Sequence, residues 1–348
     1  MAERYIVRVR VLVIGGSGFI GTHVVRLLAE HGHQVAVLDR GRSPLPDPRV
    51  HHLVGDRVHL AQSAALVRAF APDVVVDAIL SSGRQAEELL GVVRGAAPRV
   101  VALSSMDVYR SCGVLHGLEP GDLEPLPLTE SSALRTRLQT YPPAQIAMLQ
   151  QVFGWLDDEY DKIPVERALG RSADPRATIL RLPMVYGPGD KLHRFHPIVK
   201  RVDDRRPAIV FDEGAAAWRA TKGYVENVAA AIAAAVVDER AAGRVYNVGE
   251  PDTLTEMEWA RAIARAAGWT GRFVTVLHER TPEHLRARGN VAQHWVADTT
   301  RIREELGFRE PIDRDEAIRR TIAWERAHPP DPIDPRQFDY AAEDAAVT

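Results

Sequence analysis

The chain has 348 residues, of which 45% are hydrophobic, and a formal net charge of -3 at pH 7. This length predicts two domains, or one domain with a substantial second lobe, and the charge argues against nucleic-acid binding. Cys112 is the single cysteine, which excludes an intramolecular disulfide and favours a reducing compartment. The sequence has no apolar run long enough to span a membrane, and its charged first ten residues do not resemble a signal peptide. We therefore expect a cytoplasmic protein without a membrane partner.

The most informative stretch lies near the start of the chain. A β-branched run at residues 11–14 predicts a buried parallel strand, and glycines follow at positions 15, 18 and 21. A helix is predicted over 22–31, and a second strand over 35–38 leads into an acidic residue. Such glycines let the backbone approach a pyrophosphate at a helix N-terminus, and the acidic residue can accept hydrogen bonds from a ribose. We interpret the stretch as a dinucleotide site formed by Gly15, Ser17, Gly18, Phe19, Ile20, Gly21 and Asp39.

Strands and helices alternate through the first hundred residues. Further strands are predicted at 50–54, 74–77 and 100–103, with helices over 60–70 and 85–93. This alternation is typical of a doubly wound parallel sheet with helices on both faces.

Three further residues belong to the predicted cofactor site. Asp56 follows the third strand, where it either contacts an adenine ring or caps the next helix. Arg57 stands beside it, and Arg40 follows the acidic end of the second strand.

Ser105 stands at the carboxyl end of the fifth strand, within the sequence Ser-Ser-Met-Asp-Val-Tyr of residues 104–109. Together with the glycine motif and Asp39, this makes the chain resemble the extended short-chain dehydrogenase/reductases, in the branch of NAD-dependent nucleotide-sugar epimerases and dehydratases. Softer matches follow at 181–190, 224–229, 246–249 and 298–301. The resemblance implies a Rossmann-type α/β domain over 1–182 with returns near 222–248, and a smaller C-terminal substrate lobe mainly over 183–327. The prolines and acidic residues of 328–348 predict an extended tail.

The resemblance also implies catalytic residues. In the family, a Ser or Thr orients the reacting oxygen, a Tyr exchanges its proton, and a Lys lowers the pKa of that Tyr and holds the nicotinamide ribose. Ser105 and Lys162 match the first and third of these, and Pro183 matches a cofactor contact. The expected Tyr-x-x-x-Lys spacing is not intact, because Asp158 stands four residues before the lysine and Tyr160 only two.

Two tyrosines and an aspartate are candidates for proton transfer. Tyr160 can point into the cleft if Asp161 caps the following helix; otherwise it packs against the helix start. Tyr141 is a second candidate, or a turn residue. Asp107 either assists proton transfer, as acidic residues at this position do in dehydratase and decarboxylase members, or caps a turn. The long segment between Ser105 and the lysine, with an extra helix predicted over 144–156, would lie over the active site as a lid.

The predicted substrate lobe begins with a segment rich in Arg, Lys and His, at residues 183–221. Fixed arginines suit a nucleoside diphosphate, and we predict substrate contacts from Tyr186, Arg194 and Arg219. His193 and His196 have no acidic or cysteine partner at metal-binding spacing, so no metal site is predicted.

The sequence thus predicts an NAD(P)-dependent epimerase, dehydratase or reductase that transfers hydride at a carbinol carbon of a sugar or nucleotide-sugar. Asp39 disfavours a 2′-phosphate and favours NAD, whereas Arg40 and Arg42 leave NADP open. The resemblance implies a homodimer. Two alternatives remain: a dinucleotide-binding sensor, scaffold or RNA-associated protein without redox catalysis, and a reductase of a non-sugar carbonyl. A lobe without clustered arginines would favour the latter.

Overall fold

The computed structural model describes residues 8–139 and 141–347. Within these residues the strands are β1 (Arg10–Ile14), β2 (Gln34–Asp39), β3 (His51–Val54), β4 (Val74–Asp77), β5 (Arg99–Ser105), β6 (Arg176–Leu182), β7 (Met184–Tyr186), β8 (Ala208–Asp212), β9 (Lys222–Tyr224), β10 (Val245–Asn247) and β11 (Arg272–Val276). The helices are α1 (Phe19–Glu30), α2 (Ala64–Phe70), α3 (Gly83–Val93), α4 (Arg110–Leu115), α5 (Pro143–Val152), α6 (Lys162–Gly170), α7 (His196–Asp203), α8 (Glu213–Ala217), α9 (Val225–Val237), α10 (Glu256–Ala266), α11 (Thr300–Leu306), α12 (Arg314–Ala327) and α13 (Tyr340–Ala346).

A seven-stranded parallel sheet organises the molecule. Its strand order is β10-β6-β5-β4-β1-β2-β3, so the chain runs outward from β1 in one direction and then in the other. The predicted doubly wound Rossmann-type fold is confirmed. Ligands of such sheets bind at the carboxyl ends of the strands, beside the point where the strand order reverses.

Both faces of the sheet are covered, which explains the unbroken apolar runs of its strands. Val11 and Val13 of β1 pack in one core together with residues of α1 and α9. Leu12 and Ile14 point to the opposite face and pack with residues of α3 and α6. Successive side chains of a strand alternate between faces, so one apolar tetrapeptide packs against the helices on both faces of the sheet.

The predicted substrate lobe, residues 183–327, contains two short parallel strand pairs. Strand β8 pairs with β11, and β7 with β9. Helix α10 begins with a capping box, in which Thr255 and Glu258 satisfy each other's backbone N–H groups. Trp259 of α10 and Ile318 of α12 join the core that also contains α1 and α9. The lobe is therefore packed directly onto one face of the Rossmann layer.

Three local predictions differ from the structure. The C-terminal tail is not wholly extended, because α13 forms and its Glu343 makes a buried ion pair with Arg201 of α7. Helix α1 begins at Phe19 rather than at residue 22, since Gly18 is its N-cap. Helix α5 ends at Val152 rather than at 156. None of the described helices is long and apolar enough to cross a membrane.

Candidate active site

A cavity of about 720 Å³ opens at the carboxyl edge of the sheet. The residues that end or follow five neighbouring strands line it: Gly15, Asp39, Ala78, Ser105 and Pro183. This is the position at which doubly wound folds bind ligands. Two parts of the cavity are named after their predicted roles: the cofactor side is the loop 15–21 with Asp39, and the catalytic corner is Ser105, Asp107, Tyr160 and Lys162.

The loop of the cofactor side depends on the absence of side chains. Gly15 has a φ of +79°, in the left-handed region that favours glycine. A Cβ atom on Gly21 would lie 2.2 Å from the carbonyl oxygen of Gly15 and 2.9 Å from the Cα of Gly16. Helix α1 starts at this contact and has no acidic residue in its first turn. Its free N–H groups and positive dipole end can therefore hold a diphosphate.

Asp39 presents an unused acceptor on the same side. Its Oδ1 accepts a 2.8 Å hydrogen bond from the Gly41 N–H and lies 2.8 Å from Nε2 of His52. Its Oδ2 is buried without a well-formed hydrogen bond from the described residues. Burial opposes ionisation, but interactions with the Ser17 hydroxyl, Gly41 and His52 outweigh it and lower the pKa of Asp39. An ionised carboxylate with a free buried oxygen fits the hydroxyl groups of a ribose.

The other predicted cofactor residues take different positions. Arg40 lines the cavity, as does Asp56, which also caps a short 3₁₀ helix by accepting the Val58 N–H at 3.0 Å. Both roles considered for Asp56 are thus compatible with its position. Arg57 borders the cavity, but its guanidinium donates to Asp77 and to the Gln85 carbonyl, both at 2.8 Å. Its guanidinium is therefore bound within the protein, while its position at the cavity edge still allows the predicted contact with the cofactor.

Ser105 and Asp107 enter the cavity where β5 ends. The Ser105 hydroxyl caps a short 3₁₀ helix over Met106–Val108 by accepting the Asp107 N–H at 3.2 Å. Asp107 is 1% exposed, and its Oδ2 accepts a 3.0 Å hydrogen bond from the Tyr160 hydroxyl. Its Oδ1 is buried without a well-formed hydrogen bond from the described residues, although the Tyr141 hydroxyl also interacts with this carboxyl. Burial, partly opposed by Arg135, raises the pKa of Asp107.

Tyr160 reaches this carboxyl because it lies outside the helix that follows. Asp161 is the N-cap of α6 and accepts the Ile163 N–H at 2.8 Å, so Tyr160 precedes the helix and is not bound to its periodicity. Lys162, at the first position of α6, donates to the carbonyls of Leu80 and Leu103, the latter at 3.0 Å. Its Nζ lies 5.8 Å from the centre of the Tyr160 ring.

The protonation properties of the corner differ from what the family resemblance implies. Burial and the neighbouring Asp107 raise the pKa of Tyr160 well above its ordinary value. Burial lowers the pKa of Lys162 to about 8, although nearby carboxylates oppose the shift. Instead of a phenol made acidic by a lysine, the corner contains a phenol that donates to a carboxyl of raised proton affinity.

Tyr141 lies at the same corner. Its ring centre is 5.9 Å from that of Tyr160 and 6.0 Å from that of His116, and all three residues line the cavity. Burial raises the pKa of Tyr141 well above the ordinary value, and Asp107 adds to the shift. The structure thus brings both candidate tyrosines to Asp107: Tyr160 donates a well-formed hydrogen bond to it, and the hydroxyl of Tyr141 also interacts with its carboxyl.

The predicted substrate contacts are mostly not at the cavity. Tyr186 is fully buried, donates to Glu250 at 2.8 Å and does not line the cavity. Arg219 donates to the Thr253 carbonyl at 2.7 and 3.2 Å and does not line the cavity either. Both side chains thus lie outside the lining of this cavity, and their contacts with a substrate stay predictions. Arg194 does line the cavity, but its guanidinium is paired with Asp190 and the Val185 carbonyl.

Sequence reasoning missed several aromatic and apolar lining residues. Trp218 and Trp295 come from separate loops of the substrate lobe and meet only in the fold. Leu149 and Trp155 belong to residues 141–156, which we call the insert. The sequence indicated that the insert would lie over the site, but not which of its side chains line the cavity. No group of three or more potential metal ligands occurs within the described ranges.

The chain resembles proteins with known names in both sequence and structure. It is 29% identical over 286 residues to 2'-dehydrokanamycin reductase of Streptomyces kanamyceticus, covering 79% of this chain and 72% of that protein. It is 23% identical over 332 residues to the chloroplast stem-loop binding protein of 41 kDa b of Arabidopsis thaliana, covering 89% and 77%. Among solved structures, UDP-glucose 4-epimerase of Thermotoga maritima matches with a TM-score of 0.63 at 18% identity, over 91% of this chain and 99% of that one.

A second solved structure and a family sequence model also match the chain. The Bordetella bronchiseptica enzyme WbmG, solved in complex with NAD, matches with a TM-score of 0.66 at 16% identity, over 94% of this chain and 97% of that one. At such identities the two structures establish a shared fold. The sequence model of the family described as NAD dependent epimerase/dehydratase matches residues 11–113 and 163–249, more than half of the chain. The chain therefore belongs to the NAD-dependent epimerase/dehydratase family, as its resemblance to extended short-chain dehydrogenase/reductases indicated.

Proposed function

We propose that this protein is an NAD(P)-dependent enzyme that interconverts a secondary alcohol and a ketone on a small sugar-type substrate. The observation that carries the proposal is the hydrogen bond from Tyr160 to Asp107, whose second carboxyl oxygen is buried beside Ser105 in the cavity without a well-formed hydrogen bond. A buried acceptor without a well-formed hydrogen bond is costly, so such an atom indicates a site that a ligand completes.

The cofactor side fits a nicotinamide dinucleotide. The N–H groups at the start of α1 would hold the diphosphate, and the free oxygen of Asp39 would accept from the adenosine ribose. Bound there, the dinucleotide would supply or accept the hydride. The ionised Asp39 opposes a 2′-phosphate and supports NAD, while Arg40 and Arg42, which make no ion pair with the described residues, keep NADP as the alternative to test.

The catalytic corner would move the proton. When an alcohol is oxidised, its O–H bond breaks as the proton passes to the Tyr160 oxygen, and the phenolic proton of Tyr160 passes to Oδ2 of Asp107. The raised proton affinity of Asp107 makes it a suitable final acceptor, and reduction would run the same transfers in reverse. Ser105 would donate a hydrogen bond to the substrate oxygen. Lys162, held by two backbone carbonyls, would place positive charge beside the pair and reach the nicotinamide ribose.

The test separates catalysis from cofactor binding. Asp107→Asn, Tyr160→Phe and Tyr141→Phe are compared with the unmodified chain by cofactor absorbance with NAD and NADP, against sugars, nucleotide-sugars and simple cyclic alcohols. We expect kcat to fall by about 10²- to 10⁴-fold in the first two variants and less in the third, because general acid–base catalysis contributes this much. Cofactor affinity, from fluorescence quenching, should stay unchanged.

The pH profile provides a second readout. Oxidation requires the carboxylate form of Asp107, so kcat should rise with pH through a group whose pKa lies above the ordinary carboxyl value, and Asp107→Asn should abolish that limb. Cofactor binding without turnover of any probe, with all three variants indistinguishable from the unmodified chain, would instead support the dinucleotide-binding protein without redox catalysis.

A further inference from the structure

The wall of the cavity that comes from the insert and the substrate lobe is apolar and aromatic. Leu149, Phe153 and Trp155 of the insert line it, together with Leu192, Trp218 and Trp295 of the lobe. The insert lies in the gap of the family match between residues 113 and 163. This part of the wall therefore lies outside the residues that the family sequence model matches.

The two lobe tryptophans offer ring surface rather than hydrogen-bond donors. The indole N–H of Trp218 donates to the Gln293 carbonyl at 2.9 Å, and that of Trp295 donates to the Met106 carbonyl at 3.1 Å. Met106 directly precedes Asp107, so Trp295 lies next to the catalytic corner. With their donors already satisfied, both side chains offer ring surface to a ligand in the cavity.

Most lysines and arginines of the lobe form ion pairs or hydrogen bonds with other groups of the protein. Arg201 pairs with Glu343, Arg206 pairs with Asp344, and Arg219 donates to a backbone carbonyl. Among the lobe's cations that line the cavity, Arg194 is neutralised by Asp190. The other lobe cation that lines the cavity is Lys191, which makes no ion pair or hydrogen bond with the described residues. A nucleoside diphosphate is usually held by several charge-assisted hydrogen bonds, often from arginine.

We propose that the substrate is an uncharged ring alcohol or ketone and not a nucleoside-diphosphate sugar. This inference rests on the proposed function, since it names the substrate class of the same site. The ring would pack against Trp218, Trp295 and the insert, with its carbinol or carbonyl carbon facing Ser105 and Asp107. Apolar contact with these side chains would supply most of the binding energy, because burial of apolar surface is favourable without any charged partner.

Binding can be measured without turnover. Tryptophan fluorescence of the full chain is titrated with methyl glucoside, cyclohexanol, UDP and UDP-glucose, at low and at high salt. We expect the uncharged rings to quench fluorescence with an affinity that salt does not change, and UDP and UDP-glucose to bind more weakly. Methyl glucoside and cyclohexanol distinguish a sugar from a plain apolar ring. Tighter, salt-sensitive binding of UDP or UDP-glucose would overturn the proposal, and so would the absence of binding by every uncharged ring.

A pair of variants on one helix tests the wall itself. Leu149 lines the cavity, whereas Met148 beside it is 56% exposed and does not. Leu149→Lys should weaken binding of the uncharged ring by about tenfold, the loss expected from one apolar contact. Met148→Lys should change it by no more than about twofold, as surface substitutions do. Equal effects of the two variants would contradict the proposal.

The two proposals fail in different ways. If NAD(H) binds and the chain turns over only nucleotide-sugars, the proposed function stands and the substrate class is wrong. If NAD(H) does not bind, or no probe is turned over, the proposed function fails, and the fluorescence titration still decides whether the cavity selects uncharged rings.

Discussion

The cofactor side and the catalytic corner border one cavity but are built in different ways. The cofactor side comes from one continuous strand–helix–strand unit, β1 to β2, and works through backbone groups that approach closely because glycines lack side chains. The catalytic corner joins side chains 53 residues apart, Asp107 and Tyr160, through a single hydrogen bond. The first can be recognised as a local motif, whereas the second exists only once the fold brings distant segments together.

The family match follows the same division. It contains the whole cofactor side and the end of β5 at Ser105, and it is interrupted between residues 113 and 163. Tyr141, Tyr160 and Lys162 all fall in that interruption. The predicted cofactor side, Ser105 and Asp107 thus lie in the part of the chain that the family model matches, while Tyr141, Tyr160 and part of the cavity wall lie outside it.

The prediction with the largest expected effect tests whether the stability of the predicted substrate lobe depends on a contact between residues far apart in sequence. Glu343 and Arg201 form an ion pair at 2.5 Å in which both residues are buried, and Glu343 is also 3.0 Å from Nε2 of His284. Glu343→Gln leaves the guanidinium buried without a counter-charge, which should lower the free energy of unfolding by about 3 to 5 kcal/mol. Denaturant titration of the full chain measures it.

A neighbouring pair supplies the control for this variant. Asp344 is 59% exposed and pairs with Arg206, so Asp344→Asn should cost less than about 1 kcal/mol. If both substitutions lower the free energy of unfolding by the same small amount, α13 does not stabilise the lobe. The lobe would then be stable without contacts from distant parts of the sequence, as the cofactor side is.

The next effect tests the close approach within the glycine loop. A Cβ atom at Gly21 would meet backbone atoms of Gly15 and Gly16, which cannot move aside as a flexible side chain would. Gly21→Ala should destabilise the chain by about 1 to 3 kcal/mol, the usual cost of overpacking, and should also abolish cofactor binding.

Helix α3 contains the matched control. No atom lies within 4 Å of a Cβ built on Gly91, so Gly91→Ala should raise stability by up to about 1 kcal/mol through helix propensity. Thermal unfolding and fluorescence quenching by NAD(H) measure both variants. Retained cofactor binding in Gly21→Ala would show that the loop does not require the approach seen here.

Much of the fold was accessible from the sequence because its signals are local. The apolar run of β1, the glycine spacing and the capping box at Thr255 each act over a few residues, and the structure contains all three. The tail was expected to be extended because several prolines and then acidic residues follow His328. In the structure Glu343 instead forms an ion pair with Arg201, which lies 142 residues earlier in the chain.

The candidate site was accessible only in part, for the same reason. Motif matching led to expected substrate contacts from Tyr186 and Arg219, yet the first is buried against Glu250 and the second donates to a backbone carbonyl. The direction of the Tyr160 side chain depends on the N-cap at Asp161, which could be stated from the sequence only as a condition. Its partner Asp107 became identifiable once both positions in space were known.

The smallest expected effect concerns the stability contributed by Asp107. Because burial raises its pKa, the native chain binds this proton more tightly than the unfolded chain does. The contribution of the group is therefore most favourable below its unfolded pKa of about 3.9 and is lost as pH rises through the folded pKa. Asp107→Asn removes the charge and retains an acceptor for Tyr160, so its Tm should exceed that of the unmodified chain increasingly from about pH 4 upward.

Calorimetry across this pH range can measure the difference, since about 1 kcal/mol moves Tm by about 2 to 4 °C in a domain of this size class. Asp122→Asn, at an exposed position, should show no such pH-dependent gain. A Tm difference that does not grow with pH would mean that Arg135 and Lys162 already compensate the carboxylate charge. In that case Asp107 would lack the raised proton affinity on which its role as proton acceptor depends.

If Asp107→Asn is more stable than the unmodified chain at neutral pH but has a lower kcat, the buried carboxyl lowers stability and is retained because catalysis requires it.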